Sequence, residues 1–112
     1  MPKLQAIAAK QYVPDTKTVL KTVTELQSMD EVPGTAALLQ LVQEAAAECN
    51  LPQPTAKAVG GGSDSAYATV AGVPTICALG VQGVRNHTAE EFAVVDTLFS
   101  RCKLFATIML NI

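Results

Sequence analysis

The chain has no tryptophan, a single histidine, His87, and only 4% aromatic residues; charged residues make up 16% of its 112 positions. Eight Lys and Arg spread along the sequence against ten Asp and Glu leave a net charge of -2. Without a basic face there is no electrostatic footprint for nucleic acid or anionic lipid, and both are excluded as partners. No uninterrupted apolar run approaches the roughly 20 residues that cross a bilayer, and residues 4–9 are too short and broken for the core of a signal peptide. The three cysteines, Cys49, Cys77 and Cys102, form no CxxC pair. Their odd number and apolar settings read as reduced, buried thiols in a soluble cytoplasmic protein. One histidine and no cysteine cluster are too few soft ligands for a self-contained structural zinc site. A metal here needs carboxylates or another polypeptide.

What is present is apolar: 49% of the chain is hydrophobic, enough for one small domain. The sequence divides at Asp30-Glu31-Val32-Pro33-Gly34 into residues 1–33 and 34–112. In the first part residues 4–11 suit a short helix, Val13-Pro14-Asp15 breaks it, and residues 18–26 are β-branched enough for a strand. These two elements cannot close a core alone. After the Pro-Gly break, Thr35 is placed to cap a helix whose apolar residues Leu38, Val42, Ala45 and Cys49 recur every three or four positions. Asn50 is its expected C-terminal residue, because Pro52 and Pro54 cannot continue a helix.

A strand is expected at residues 55–59, then a helix capped by Ser63 or Asp64 and running through Ala71, a Gly72-Val73-Pro74 turn, and a buried strand at residues 75–79. Residues 80–88 lack periodicity and read as a loop. A last short strand at residues 92–95 precedes a helix capped by Asp96, with Leu98, Cys102, Phe105, Met109 and Ile112 on one stripe. Helices alternating with short buried strands predict an α/β sandwich with some parallel pairing.

Chemistry is concentrated in two places. The run Gly60-Gly61-Gly62-Ser63-Asp64 lies between a strand and a helix, where glycines permit positive φ angles or close approach of backbone to a ligand. Free N–H groups at the helix start favour an anion. A phosphate-binding P-loop needs a Gly-Lys-Ser/Thr ending, and a dinucleotide loop needs glycine where Ser65 stands; neither is met. The bland alternative is a tight turn without a ligand. Ser63, Asp64 and His87 offer the residue types of a serine hydrolase, but Ser65 replaces the last glycine of a nucleophile elbow, and Asp64 beside Ser63 is better explained as a cap. His87 is the second place. It sits in a Gly-containing loop among polar neighbours, either as plain surface or as a metal ligand, and Glu90 and Glu91 follow it at what reads as a helical turn that the dipole alone would explain.

Taken in order, Gly60-Gly61-Gly62-Ser63-Asp64, Gly72-Val73-Pro74-Thr75, Leu79-Gly80, His87-Thr88-Ala89-Glu90-Glu91 and a long terminal helix resemble the end of the M20 family of metallopeptidases. That family includes glutamate carboxypeptidases, acetylornithine deacetylase and succinyl-diaminopimelate desuccinylase. The likeness covers about residues 59–112, and residues 35–50 are similar to the helix that re-enters the family's catalytic domain. It implies part of a three-layer α/β sandwich for residues 34–112, with residues 1–33 a remnant of the lid, or dimerisation, domain.

The resemblance also implies chemistry. Family members hold two zinc ions with two histidines and several carboxylates, and a glutamate acts as general base. Only the last histidine ligand has a counterpart here, His87; the family's His-x-Asp and Glu-Glu motifs are missing, and Glu90-Glu91 follows the histidine instead. The implied role of Gly60, Gly61, Gly62 and Ser63 is to bind a substrate carboxylate through backbone N–H groups, with Asp64 holding the loop in shape. The resemblance thus points to a fragment of an enzyme acting on a small peptide or N-acyl amino acid, catalytically inactive and metal-free when isolated. The competing reading is a non-catalytic module that binds a small carboxylate or assembles with another subunit. A fragment of this kind should also form homo-oligomers, with residues 18–26 available for strand exchange.

Overall fold

The computed structural model describes all 112 residues. Its elements in chain order are α1 (Pro2–Ala8), α2 (Thr35–Glu48), α3 (Ser65–Val70), β1 (Gly83–Val84), β2 (Phe92–Ala93) and α4 (Val95–Leu110). The strands β1 and β2 pair antiparallel, Gly83 opposite Ala93 and Val84 opposite Phe92. No helix is long and apolar enough to cross a membrane.

The Pro33-Gly34 break starts α2 as expected, but Gly34 rather than Thr35 takes the cap position. Its φ of 98° favours glycine, and a Cβ there would lie 2.8 Å from Pro74 Cγ, so this turn also closes against the turn after α3. Thr35 is the first helical residue, and its Oγ1 accepts the Val32 N–H at 3.2 Å. At the other end Asn50 adopts φ 56°, its N–H bonds to the Ala47 carbonyl, and the Leu51 N–H reaches back to Ala46. This pair of bonds is a Schellman closure, which satisfies two carbonyls that the helix itself leaves free. The same closure ends α3, with Gly72 bonding to Thr69 and Val73 to Ala68. Both helix ends were legible in the sequence.

The core lies between α2 and α4. Val42, Ala45 and Ala46 of α2 bury against Leu104 and Ile108 of α4, and Leu41, Leu51, Ile76 and Leu79 pack at the margin. The two alanines leave room for the Leu104 side chain, which has no exposed surface. Beyond this core, Cys49 Sγ lies 3.2 Å from Thr107 Oγ1, and Asn111 Nδ2 donates to Glu48. The periodicity expected of α2 is therefore the observed one. For α4 it is not: Leu98, Phe105, Met109 and Ile112 are exposed, and the buried face runs through Leu104 and Ile108. The helix carries two apolar faces, and periodicity cannot say which of them meets α2.

The parallel sheet expected of an α/β sandwich is not formed. Residues 18–26, 55–59 and 75–79 are not strands, and the only sheet is the β1–β2 hairpin. A strand exists only where another strand takes its N–H and C=O groups, and these three segments have no such neighbour. The fold is a mixture of helices and a small sheet, extended rather than closed. Its radius of gyration is 20.0 Å, against about 13 Å for a compact chain near this length. Only eight residues are buried, and Val19, Val23, Val59, Phe99, Leu110 and Ile112 are among the large apolar side chains left exposed. The cysteines also differ from expectation: all three are free thiols, but only Cys49 is buried, while Cys77 and Cys102 are exposed.

Candidate functional site

The glycine run enters α3, and Asp64 occupies the helix cap position without making a side-chain cap bond. Ser63 does that work instead: its Oγ accepts the Ser65 N–H at 3.2 Å and lies at hydrogen-bond distance, 3.1 Å, from Ser65 Oγ. None of Gly60, Gly61 and Gly62 has a positive φ, contrary to one reason for expecting glycine there. Gly60 and Gly61 instead leave open space where a side chain would stand, and Gly62 faces the Leu26 side chain. An open backbone is what remains of the carboxylate-binding expectation.

Ser63 has a partner that no motif announced. Cys77 Sγ lies 3.2 Å from Ser63 Oγ. The thiol is held below its ordinary range, chiefly by the hydrogen bond from Ser63, then by Ser65 and the Ala78 backbone, with slight burial opposing. This stabilises the thiolate, because hydroxyl and N–H donors aimed at sulfur favour its charged form. In the sequence Cys77 is one residue in a short apolar run, and only the fold brings it beside the loop 14 residues earlier. Ser63 thus bonds to Ser65 and Cys77, and the structure gives no support to a triad with His87.

His87 stands in a tightly turned, exposed loop. Arg85 and His87 both have positive φ, 60° and 65°. The Thr88 hydroxyl donates to the Arg85 carbonyl at 2.8 Å, the Glu91 N–H bonds to Thr88, and the His87 N–H donates to Glu91 Oε2 at 3.0 Å. Glu91 therefore fixes the backbone that carries the imidazole. The side-chain bonds around Ser63 and those around His87 form two local assemblies, with no bond between them among these contacts.

A zinc site needs about three or four protein donors around one point. No group of three or more His, Cys, Asp or Glu side chains here could hold a metal ion. The donor set around His87 does not fit a zinc ion unaided.

Residues 18–111 match the family profile described as peptidase family M20/M25/M40. The chain belongs to this family. The match runs through α2, the glycine loop, the His87 loop and α4, and it begins upstream of the Pro33-Gly34 break. No curated protein and no solved structure matches the chain. Membership of the M20 family makes this a chain of the peptidase and amidohydrolase class, whose members generally use zinc, while the geometry in hand supplies a single imidazole from His87.

Proposed function

We propose that the chain is the C-terminal portion of an M20-type zinc-dependent amidohydrolase that releases a C-terminal amino acid from a small peptide or an N-acyl amino acid. The observation that carries this reading is the family match over residues 18–111, which includes the His87-Thr88-Ala89-Glu90-Glu91 loop. In this reading His87 is one ligand of a metal centre whose other ligands lie outside this chain. Its exposure and the Glu91 bond that sets its backbone support that role. Gly60, Gly61, Gly62 and Ser63 form the wall that meets the substrate carboxylate, supported by the open space over Gly60 and Gly61. Asp64, at the cap position of α3, keeps that wall at the helix entrance.

Residues 34–112 belong to the catalytic domain and residues 1–33 to a lid remnant. The isolated chain is inactive, because one imidazole neither holds a catalytic zinc nor positions a general base. Its uncovered apolar side chains drive self-association. The test mixes this chain with a polypeptide carrying an M20 N-terminal half and follows release of the C-terminal amino acid from N-acyl substrates. Activity only in the mixture, abolished by His87→Ala, is expected. Turnover by the chain alone, or a mixture indifferent to His87→Ala, would refute the proposal.

A further inference from the structure

The second apolar face of α4 has no cover. Val95, Leu98, Cys102, Phe105, Met109 and, just past the helix end, Ile112 are all exposed, and they recur at alternating intervals of three and four residues. At about 100° per residue this stripe lies roughly 120° around the helix from Leu104 and Ile108, the residues that α2 covers. An alternating three-four spacing is the pattern by which one helix seats its side chains between those of another. No other helix of the chain offers a matching face. The helices α1 and α3 have only seven and six residues, and the exposed positions of α2, such as Ala37, Gln40, Glu44 and Glu48, are small or polar.

We infer that this stripe is the contact surface of a two-fold dimer, covered in the isolated chain by the same stripe of a second copy. The intervals read the same in both directions along the helix. Two antiparallel helices therefore set Val95 opposite Ile112 of the second copy, Leu98 opposite Met109 and Cys102 opposite Phe105, about an axis between Cys102 and Phe105. Antiparallel packing also brings the opposite ends of the two helix dipoles together. Burying side chains of this size removes roughly 60–120 Å2 of apolar surface each, on the order of 1,000 Å2 over the whole stripe in both copies. That is the lower limit for a specific interface, and it gives a weak dimer that forms as concentration rises while the dilute chain stays monomeric. Association needs neither zinc nor substrate, and the stripe contains neither His87 nor the glycine loop. Failure here thus leaves the hydrolase reading untouched, and failure of that reading leaves this one standing.

The experiment measures the mass of the full chain by light scattering over a range of concentrations, with alkylation of Cys102 by iodoacetamide read at each. The mass should rise from that of one chain to that of two and no further. Alkylation of Cys102 should slow in proportion to the dimer formed, with Cys77, off the stripe, as the reference. Leu98→Glu and Met109→Lys should each keep the chain monomeric where the parent is dimeric, with helical circular dichroism unchanged. Mixing the two variants should restore dimer, because antiparallel pairing sets the new acid against the new base. Val59→Glu, at an exposed apolar position off the stripe, should leave the dimer intact. A monomer at every concentration, a mass that climbs past two chains, a dimer indifferent to Leu98→Glu, or a mixture of the two variants that stays monomeric would each overturn the inference. Cys102 protected by an M20 N-terminal half, but not by rising concentration of the chain, would overturn it too and give the stripe to that half.

Discussion

Replacing Leu104 by alanine tests which face of α4 meets α2. The side chain has no exposed surface, and the substitution removes about three buried carbons, a transfer loss of about 2.4 kcal/mol at about 0.8 kcal/mol each. Two of the residues around it, Ala45 and Ala46, are too short to fill the gap. A residual cavity therefore raises the cost to about 3–4 kcal/mol, within the range for buried leucine truncations. Phe105, one residue further along the helix, is 43% exposed and lies on the other apolar stripe. Phe105→Ala should cost about 1 kcal/mol or less. The assay is urea unfolding of both variants and the parent followed by helical circular dichroism, with midpoints compared at equal slopes. Leu104→Ala should lower the midpoint far more than Phe105→Ala does. Equal losses from the two variants, or a larger one from Phe105→Ala, would refute the assignment of the core to the Leu104 and Ile108 face.

Gly34→Ala should destabilise the chain by about 1–2 kcal/mol, because it places a side chain at φ 98° and against Pro74; an unchanged thermal midpoint would contradict this. Cys77 should react with iodoacetamide near neutral pH faster than the exposed Cys102, and Ser63→Ala should move its rate-pH profile upward by removing the main cause of its lowered pKa. A profile that does not move, read by mass spectrometry of the labelled peptides, would show that Ser63 does not support the thiolate. Glu91→Ala should increase amide hydrogen exchange at His87 by freeing the N–H it now holds; unchanged exchange would remove Glu91 from the support of that loop.

The helices were legible because their signals are local. The 3–4 spacing of Val42, Ala45 and Cys49, the Pro33-Gly34 start and the Asn50 end depend only on neighbouring residues, and α2 follows them. The short run at residues 92–95 also held in part, as β2. Strands at residues 18–26, 55–59 and 75–79 were read from composition, but a strand is completed by a neighbour that composition does not contain. The buried face of α4 was missed for a related reason: a helix apolar on two sides leaves the choice to tertiary contacts. His87 and the glycine loop were visible as motifs, and their order led to the family that the match over residues 18–111 then established. Cys77 beside Ser63 had no motif, since the two meet only through the fold.

The most direct test of the proposed metal-ligand role is the side-chain nitrogen spectrum of His87, recorded with zinc added to the chain alone and to its mixture with an M20 N-terminal half. The single histidine makes the signal unambiguous in a chain that alone carries the isotope label. A coordinated imidazole nitrogen should show a large zinc-dependent shift in the mixture and none in the isolated chain. A stoichiometric shift in the chain alone, or no shift in a mixture that is hydrolytically active, would contradict the assignment of His87 as one ligand of a centre completed from elsewhere.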